Sequence, residues 1–452
     1  MRLTLVHPCI GRRAGSRDYI RTWQMEPLPP ALIAGLTPPD VDLRFYDDRL
    51  EDIPFDQPTD LVALSVETYT ARRSYQIASE YRRRGVPVVM GGFHATLCPD
   101  EVARFAESVV VGEAEALWPR VLDDWRHGRG QKLYRQDGRV ALRGAKPDRR
   151  IFAGRRYLKV GLVEAGRGCR FRCEFCAVQT VFQASQTRRP VDEIVAEAAE
   201  VGRRSRLLFF VDDNVTSDLA AAKELFRALA PLKLRWVSQA AIDAAHDEEC
   251  LELMARSGCQ GVLIGFESLD PANLALMNKR FNSMRGGYEA ALANLRRHKI
   301  RVYGTFVFGY DHDGPESFGQ AVDFARRHGF YIAAFNHLTP FPGTPLYERL
   351  QAEGRLTFER WWLDPRYRYN MVPFRPQRLL PEEVERGCVA ARREFYSWPG
   401  ILRRGLDPVN RADPFMWRNF YLINALHRAD VAGRNHFPLG VEDWPGTLIE
   451  AA

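Results

Sequence analysis

Short apolar runs recur along the amino-terminal third of the chain, each followed by a stretch whose apolar residues fall at helical spacing. RLTLVH (2–7) and the runs at 42–46, 61–66, 86–90 and 108–111 read as strands. Between the third and fourth lies ARRSYQIASEYRRRG (71–85), with a helical pattern and Gly85 as a helix stop. This alternation predicts a doubly wound, mainly parallel α/β domain over residues 1–128. The rhythm resumes with the strand-like YLKVGLVEAG (157–166) and runs at 207–214, 234–240, 261–268, 301–313 and 331–345. Six βα units predict a partial barrel over 157–353, whose functional groups belong at the carboxyl ends of the strands. Residues 354–452, rich in aromatics and Arg, read as a mostly helical region able to close the open side of such a barrel.

A chain of 452 residues exceeds what one core supports, so several domains are expected. With 46% hydrophobic and 27% charged residues, extended disorder is excluded. No apolar run is long enough to span a membrane and no apolar leader precedes the first strand, so a cytoplasmic protein without a membrane span is expected. The net charge of +7 first suggests nucleic acid, but its location argues otherwise. Residues 1–128 hold 15 Arg and Lys against 19 Asp and Glu, whereas 129–156 hold 10 against 2. The surplus sits in one basic linker, a solvated surface or a contact for an anionic ligand, and no nucleic-acid partner is expected.

Candidate chemistry lies at strand ends. In the first domain these are SVETYT (65–70), GGFHAT (91–96) and VGEAEA (111–116). Ser65 and Thr68 offer hydroxyls, and Gly91 and Gly92 allow close approach of a ligand, although any doubly wound domain has glycine at such turns. In the second, GRGCRFRCEFC places Cys169, Cys173 and Cys176 at the spacing C-x-x-x-C-x-x-C. Three thiolates so spaced can hold three irons of a four-iron cube and leave the fourth open. A structural zinc site would want a fourth Cys or His close by, and none follows Cys176 until His246. Cys250, Cys259 and Cys388 form no further cluster motif.

The cysteine motif, with Phe175 as the aromatic before the last Cys, resembles the signature of the radical S-adenosylmethionine (SAM) superfamily. The resemblance implies a 4Fe-4S cluster whose open iron chelates the amino and carboxylate groups of SAM and cleaves it to methionine and a 5′-deoxyadenosyl radical. It further implies SAM contacts from Asp212, Asp213 and Asn214 after the second strand, Ser238 and Gln239 after the third, and Glu267 and Ser268 after the fourth. Adjacent carboxylates at 212 and 213 also suit a helix N-cap, and Glu267 an internal salt bridge. Asp311 and Asp313 are open between substrate contact and turn chemistry, while TPFPGTP (339–345) resembles the family's adenine-side loop.

The first domain resembles the cobalamin-binding domain found ahead of some radical enzymes, Ser65 and Thr68 lying after the third strand and Gly91-Gly92 beside the nucleotide tail. It departs from the cobalt-ligating Asp-x-His-x-x-Gly motif: in LVHPCI, Leu5 and Ile10 stand where Asp and Gly are required. His7 and His94 are open between substitute ligand and turn histidine. Together these imply a cobalamin-dependent radical SAM enzyme that methylates an unactivated carbon of a small molecule and draws electrons from a partner such as flavodoxin or ferredoxin. The alternatives are a radical SAM cyclase, rearrangement or other group-transfer enzyme, with or without cobalamin, and a redox-sensing module. No catalytic side chain is assigned, because the cofactors supply the reactivity.

Overall fold

The computed structural model describes residues 1–17, 24–283, 286–433 and 435–450. Two compact units divide the chain: Met1–Leu158 with Arg360–Tyr369 and His436–Ala452, and Lys159–Glu359 with Asn370–Asn435.

The first unit is built on a parallel sheet of β1 (Arg2–His7), β2 (Asp42–Asp47), β3 (Leu61–Ser65), β4 (Val88–Gly91), β5 (Ser108–Val111) and β6 (Leu133–Arg135). Their order is β2-β1-β3-β4-β5-β6, so the winding reverses between β1 and β3 and leaves a crevice beyond His7 and Ser65. Helix α1 (Ala71–Arg83) follows β3, and α2 (Trp118–Arg126) covers the core face that Leu3, Leu5, Leu61, Val89 and Val110 present.

The structure departs from the sequence-based expectation at two places. The stretch 129–156, read as a basic linker, contains β6, with Tyr134 buried between exposed Leu133 and Arg135, and Val140, Leu142 and Phe152 are buried as well. Ten basic residues conceal an alternation only three residues long. Nor do residues 354–452 form one cap. Trp361 and Tyr369 set their rings 4.9 and 5.1 Å from that of Tyr69, Trp362 Nε1 donates to Glu101 at 2.9 Å, and Gln76 exchanges hydrogen bonds of 3.0 and 2.8 Å with the backbone of Val441. Those segments therefore belong to the first unit.

The second unit carries β7 (Gly161–Val163), β8 (Leu208–Phe210), β9 (Trp236–Gln239), β10 (Cys259–Glu267), β11 (Arg301–Phe308) and β12 (Ile332–His337), parallel and in sequential order. Helices α3 (Val191–Gly202), α4 (Leu219–Leu229), α5 (Glu248–Arg256), α6 (Gly287–Arg297) and α7 (Pro315–Arg327) lie between successive strands. Asp218 and Asp247 cap α4 and α5, accepting N–H groups of Ala221 and Cys250 at 3.1 and 2.8 Å. Ala222, Leu225, Phe226 and Leu229 of α4 are buried in the core that also holds Trp236.

Strand β12 ends the sheet, and an open strand edge presents unpaired backbone groups. Side chains meet them. Tyr396, just after α8 (Pro381–Phe395), donates its hydroxyl to Ala333 O at 2.8 Å and accepts Ala333 N–H at 3.3 Å; Arg392 Nε donates to Phe335 O at 2.9 Å. Asn424 of α10 (Pro414–Gly433) donates to Tyr331 O at 3.2 Å. Arg404 of α9 (Trp398–Gly405) is buried and donates to Phe330 O at 3.0 Å and Phe395 O at 3.1 Å. The helical region thus takes the place of a further strand.

Candidate active site

In the second unit the site begins where β7 ends. A short antiparallel pair, Gly166–Gly168 with Gln186–Arg188, forms the base of the cysteine loop. Gly168 has φ +87°, and a side chain there would run into the Ser185 carbonyl, so only glycine fits. The loop is tied down along its length. Gly168 N–H donates to Asp213 at 2.7 Å, Arg170 N–H to the Ser217 hydroxyl at 2.9 Å, and Arg170 pairs with Asp243. Glu174, between Cys173 and Cys176, accepts from Arg349 at 2.7 Å, and its N–H donates to Met277 O at 3.2 Å.

All three loop cysteines are free thiols and half-buried. Burial pushes Cys173 up to about 12 and raises Cys176, with the other thiols of the set adding to both shifts. Among the described residues no group of three His, Cys, Asp or Glu converges on a single ion position. In a four-iron cube the three ligating sulfurs each reach a different iron, so they need not converge on one position. The residues fit a cluster chemically: three soft donors on one rigid loop, and no fourth thiol in the set.

The residues expected to contact SAM play different parts in the structure. Asp212 is buried, with Oδ1 accepting Ala165 N–H at 2.8 Å and Oδ2 without a hydrogen-bond partner among the described residues. Burial pushes Asp212 up to about 7, against the backbone N–H of Ala165. Asn214 is buried; its amide lies 3.6 Å from Cys169 Sγ and its carbonyl accepts Thr216 and Ala241 N–H, each at 3.2 Å. Asp212, Asp213 and Asn214 therefore hold the cysteine loop against the end of β8, and neither Asp caps a helix. Ser238 departs from expectation: its buried hydroxyl donates to Phe210 O at 2.7 Å, turned into the sheet instead of outward. Gln239 donates to Asp212 O at 3.2 Å.

Glu267 sits at a break in register between β10 and β11, at φ +63°. A non-glycine residue in that region is strained, and strain of this kind gathers at functional sites. Its carboxylate pairs with Lys279 at 2.9 Å and accepts from Thr305 at 3.3 Å. Lys279 also donates to Gly265 O at 3.0 Å, and Asn282 bonds the carbonyls of Gly265 and Phe266, each at 3.2 Å. Burial disfavours the Lys279 ammonium, but Glu267 and the Cys173 thiol outweigh it and hold the ammonium above its usual value. Ser268 accepts Asp270 N–H at 3.1 Å. Phe175 lies edge-on to Tyr310, with Lys279 Nζ 6.0 Å from its ring centre.

Turn chemistry claims the DHDG segment: Asp313 accepts Gly309 and Tyr310 N–H at 2.9 and 3.0 Å, and Asp311 pairs with Arg349 and Arg355. A small cavity of about 30 Å³, room for little more than a water, lies beside β11 and β12, walled by Tyr303, Asn336, Arg392, Tyr396, His427 and Asp430. Lys279, Glu174 and this cavity were not legible in the sequence, since no motif marks them.

In the first unit Ser65 ends β3, and Thr68 is buried with its hydroxyl 3.3 Å from His94 Nδ1. The other His94 nitrogen lies 3.1 Å from Glu101, so this histidine is spent inside the fold. His7 Nδ1 is buried without a hydrogen-bond partner among the described residues, and burial lowers this histidine to about 4, keeping it neutral. Gly91 ends β4 with room for a Cβ in ordinary contact. Gly92 has φ +104°, and a Cβ would lie 2.9 Å from Val66 O and 3.3 Å from the Ser65 hydroxyl. Gly92 is thus required by its own turn, which corrects the expectation that its empty side serves a ligand. The loop after β1 rests on a buried charge cluster with no sequence motif: Arg73 clamps Asp48 at 2.8 and 2.9 Å, and Asp48 accepts Cys9 N–H at 3.1 Å.

A sequentially ordered, open parallel barrel with three thiols at its carboxyl edge defines the class. The model of the radical SAM superfamily matches residues 163–325. Bacteriochlorophyllide d C-12(1)-methyltransferase of Chlorobaculum tepidum is 31% identical over 414 residues, covering 89% of each chain, and the C-8(2)-methyltransferase of the same organism is 27% identical over 83% of this chain and 86% of its own. The structure of TsrM, a radical SAM methyltransferase from Kitasatospora setae with cobalamin and a 4Fe-4S cluster bound, matches with a TM-score of 0.63 over 95% of this chain and 99% of that one, at 18% identity. The chain belongs to the radical SAM superfamily, in the methyltransferase subgroup that carries a cobalamin-binding-type domain ahead of the radical core. It is a radical SAM enzyme.

Proposed function

We propose that this chain methylates an unactivated carbon of a hydrophobic small molecule, and that chlorin-type tetrapyrroles are the first substrates to try, because two relatives act on bacteriochlorophyllides. The observation that carries the reading is the thiol loop at the open edge of the barrel, in a chain whose other unit ends its strands in Ser65 and Gly91. Bound at these places, a 4Fe-4S cluster with SAM supplies an adenosyl radical, and a corrinoid supplies a methyl group.

The residues do the positioning. Cys169, Cys173 and Cys176 hold the cluster; Glu174 and Arg349 brace their loop. Asp212 offers its unpartnered oxygen, and Glu267, set on a strained backbone, its carboxylate, to the polar groups of SAM. Gln239 and Ser268 line the same strand ends, while Ser238 supports them from within. In the first unit the Ser65 hydroxyl and the Gly91 backbone suit a neutral polar ligand at the switch point. His94, with both nitrogens engaged, leaves the corrinoid without a ligand from that side chain. Eight free thiols suit a reducing cytoplasm, with flavodoxin or ferredoxin as electron donor.

The test is retention of corrinoid. Protein reconstituted anaerobically with hydroxocobalamin and passed through gel filtration should keep one corrinoid per chain, and Ser65→Ala should lower its affinity by about tenfold, the worth of one buried hydrogen bond. A wild type that retains none would turn the reading to corrinoid-free radical chemistry.

A further inference from the structure

Among the described residues, eleven large hydrophobic side chains are exposed, and six of them fall between 398 and 426. Trp398, Leu402 and Leu406 repeat every fourth residue along α9 and its cap, at 51%, 56% and 63% exposure, forming one stripe. On α10, Leu422 and Leu426 are 59% and 40% exposed. The two helices are joined: Trp417 Nε1 donates to Gly405 O at 2.9 Å, and the Arg428 guanidinium lies 5.5 Å from the Trp398 ring centre. Scattered exposed leucines need no explanation, but a run of this density does.

The charge around it has one sign. Arg403, Arg411, Arg418 and Arg428 are exposed and in no ion pair among the described residues. Of the acids in the segment, Asp407 pairs with Arg296 and Asp413 with Arg235, both at 3.0 Å, and Asp430 is half-buried against the cavity beside β12. We propose that α9 and α10 form a docking face for an anionic lipid bilayer, with Trp398 and the leucines entering the headgroup boundary and the arginines meeting the phosphates. Tryptophan and leucine flanked by arginine is the composition of a helix that lies in a membrane interface. No helix among the described residues is long and apolar enough to cross a membrane, so the attachment is peripheral. A symmetric pairing of two copies would set the same arginines against each other, which disfavours self-association.

The test uses the full reconstituted chain and sedimentation with two kinds of vesicle, phosphatidylcholine alone and phosphatidylcholine mixed with phosphatidylglycerol. The chain should sediment with the mixed vesicles, and less with the neutral ones. Replacing Arg403, Arg411 and Arg418 by Gln should weaken that binding about a hundredfold, at about fivefold for each arginine. Leu402→Ser with Leu422→Ser should weaken it in high salt as well, where screening has removed the charge contribution. Because these side chains are exposed, both variants should keep the thermal midpoint and the rate of 5′-deoxyadenosine formation in vesicle-free buffer. Failure of the wild type to sediment with mixed vesicles would overturn the proposal. So would a dimer in light scattering that Leu402→Ser with Leu422→Ser converts to monomer, or an acidic protein that binds the face while vesicles do not.

Discussion

Cys173→Ala is expected to abolish the site-differentiated 4Fe-4S cluster and all formation of 5′-deoxyadenosine. The two remaining thiolates, Cys169 and Cys176, cannot hold three irons, and the neighbouring side chains are engaged. Glu174 is held by Arg349 at 2.7 Å, and Asp213 accepts Gly168 N–H at 2.7 Å. Neither is placed to substitute for a lost sulfur. The loss should be specific to the cluster, because the loop's backbone bonds to Asp213, Ser217 and Met277 do not pass through the Cys173 side chain. Iron and sulfide content, the low-temperature electron paramagnetic resonance signal and SAM cleavage measure it. Full cleavage of SAM by the variant would contradict the assignment.

The second large effect concerns Glu267. Its side chain and that of Lys279 are each 9% exposed, so Glu267→Ala leaves a buried ammonium without its partner, and should destabilise the second unit by about 3–5 kcal/mol. Loss of SAM binding in that variant alone would therefore be ambiguous. Combining Glu267→Gln with Lys279→Met removes both charges and should recover most of the stability, since a buried pair replaced together is often neutral. If Glu267 also binds SAM, the double variant should still bind SAM about tenfold more weakly or worse, the worth of a hydrogen bond to a charged group. Denaturation of the apo protein and a SAM titration separate the two roles. Unchanged SAM affinity in the stable double variant would leave Glu267 as a purely structural residue.

The parts of this molecule that were legible in the sequence are those whose physical requirement is local. Three cysteines on one loop carry their spacing with them, and apolar runs ending in polar residues mark the barrel strands. What escaped depends on groups far apart in the chain. Lys279 reaches Glu267 through a bulge that no propensity foretells, and Arg349 meets Glu174 from 175 positions away. Strand β6 was hidden by the charge of its surroundings, and Trp361 and Trp362 read as part of a helical cap although they pack in the first unit. Ser238 shows the limit in the other direction: a hydroxyl near a strand end suggests ligand contact, but the alternation of β9 turns it inward to Phe210 O. Gly92 is similar, since the positive φ that makes glycine necessary arises from the turn itself.

The most direct measurement of the central claim is the fate of a labelled methyl group. The anaerobic enzyme, loaded with cluster and corrinoid, is given a chlorin substrate, a low-potential reductant and SAM labelled with deuterium in its methyl group, and the products are weighed by mass spectrometry. The expected result is a product carrying the labelled methyl on a formerly unactivated carbon, formed in step with 5′-deoxyadenosine. Formation of 5′-deoxyadenosine with a product that has gained no carbon would contradict methyl transfer and assign this chain to radical cyclisation or rearrangement.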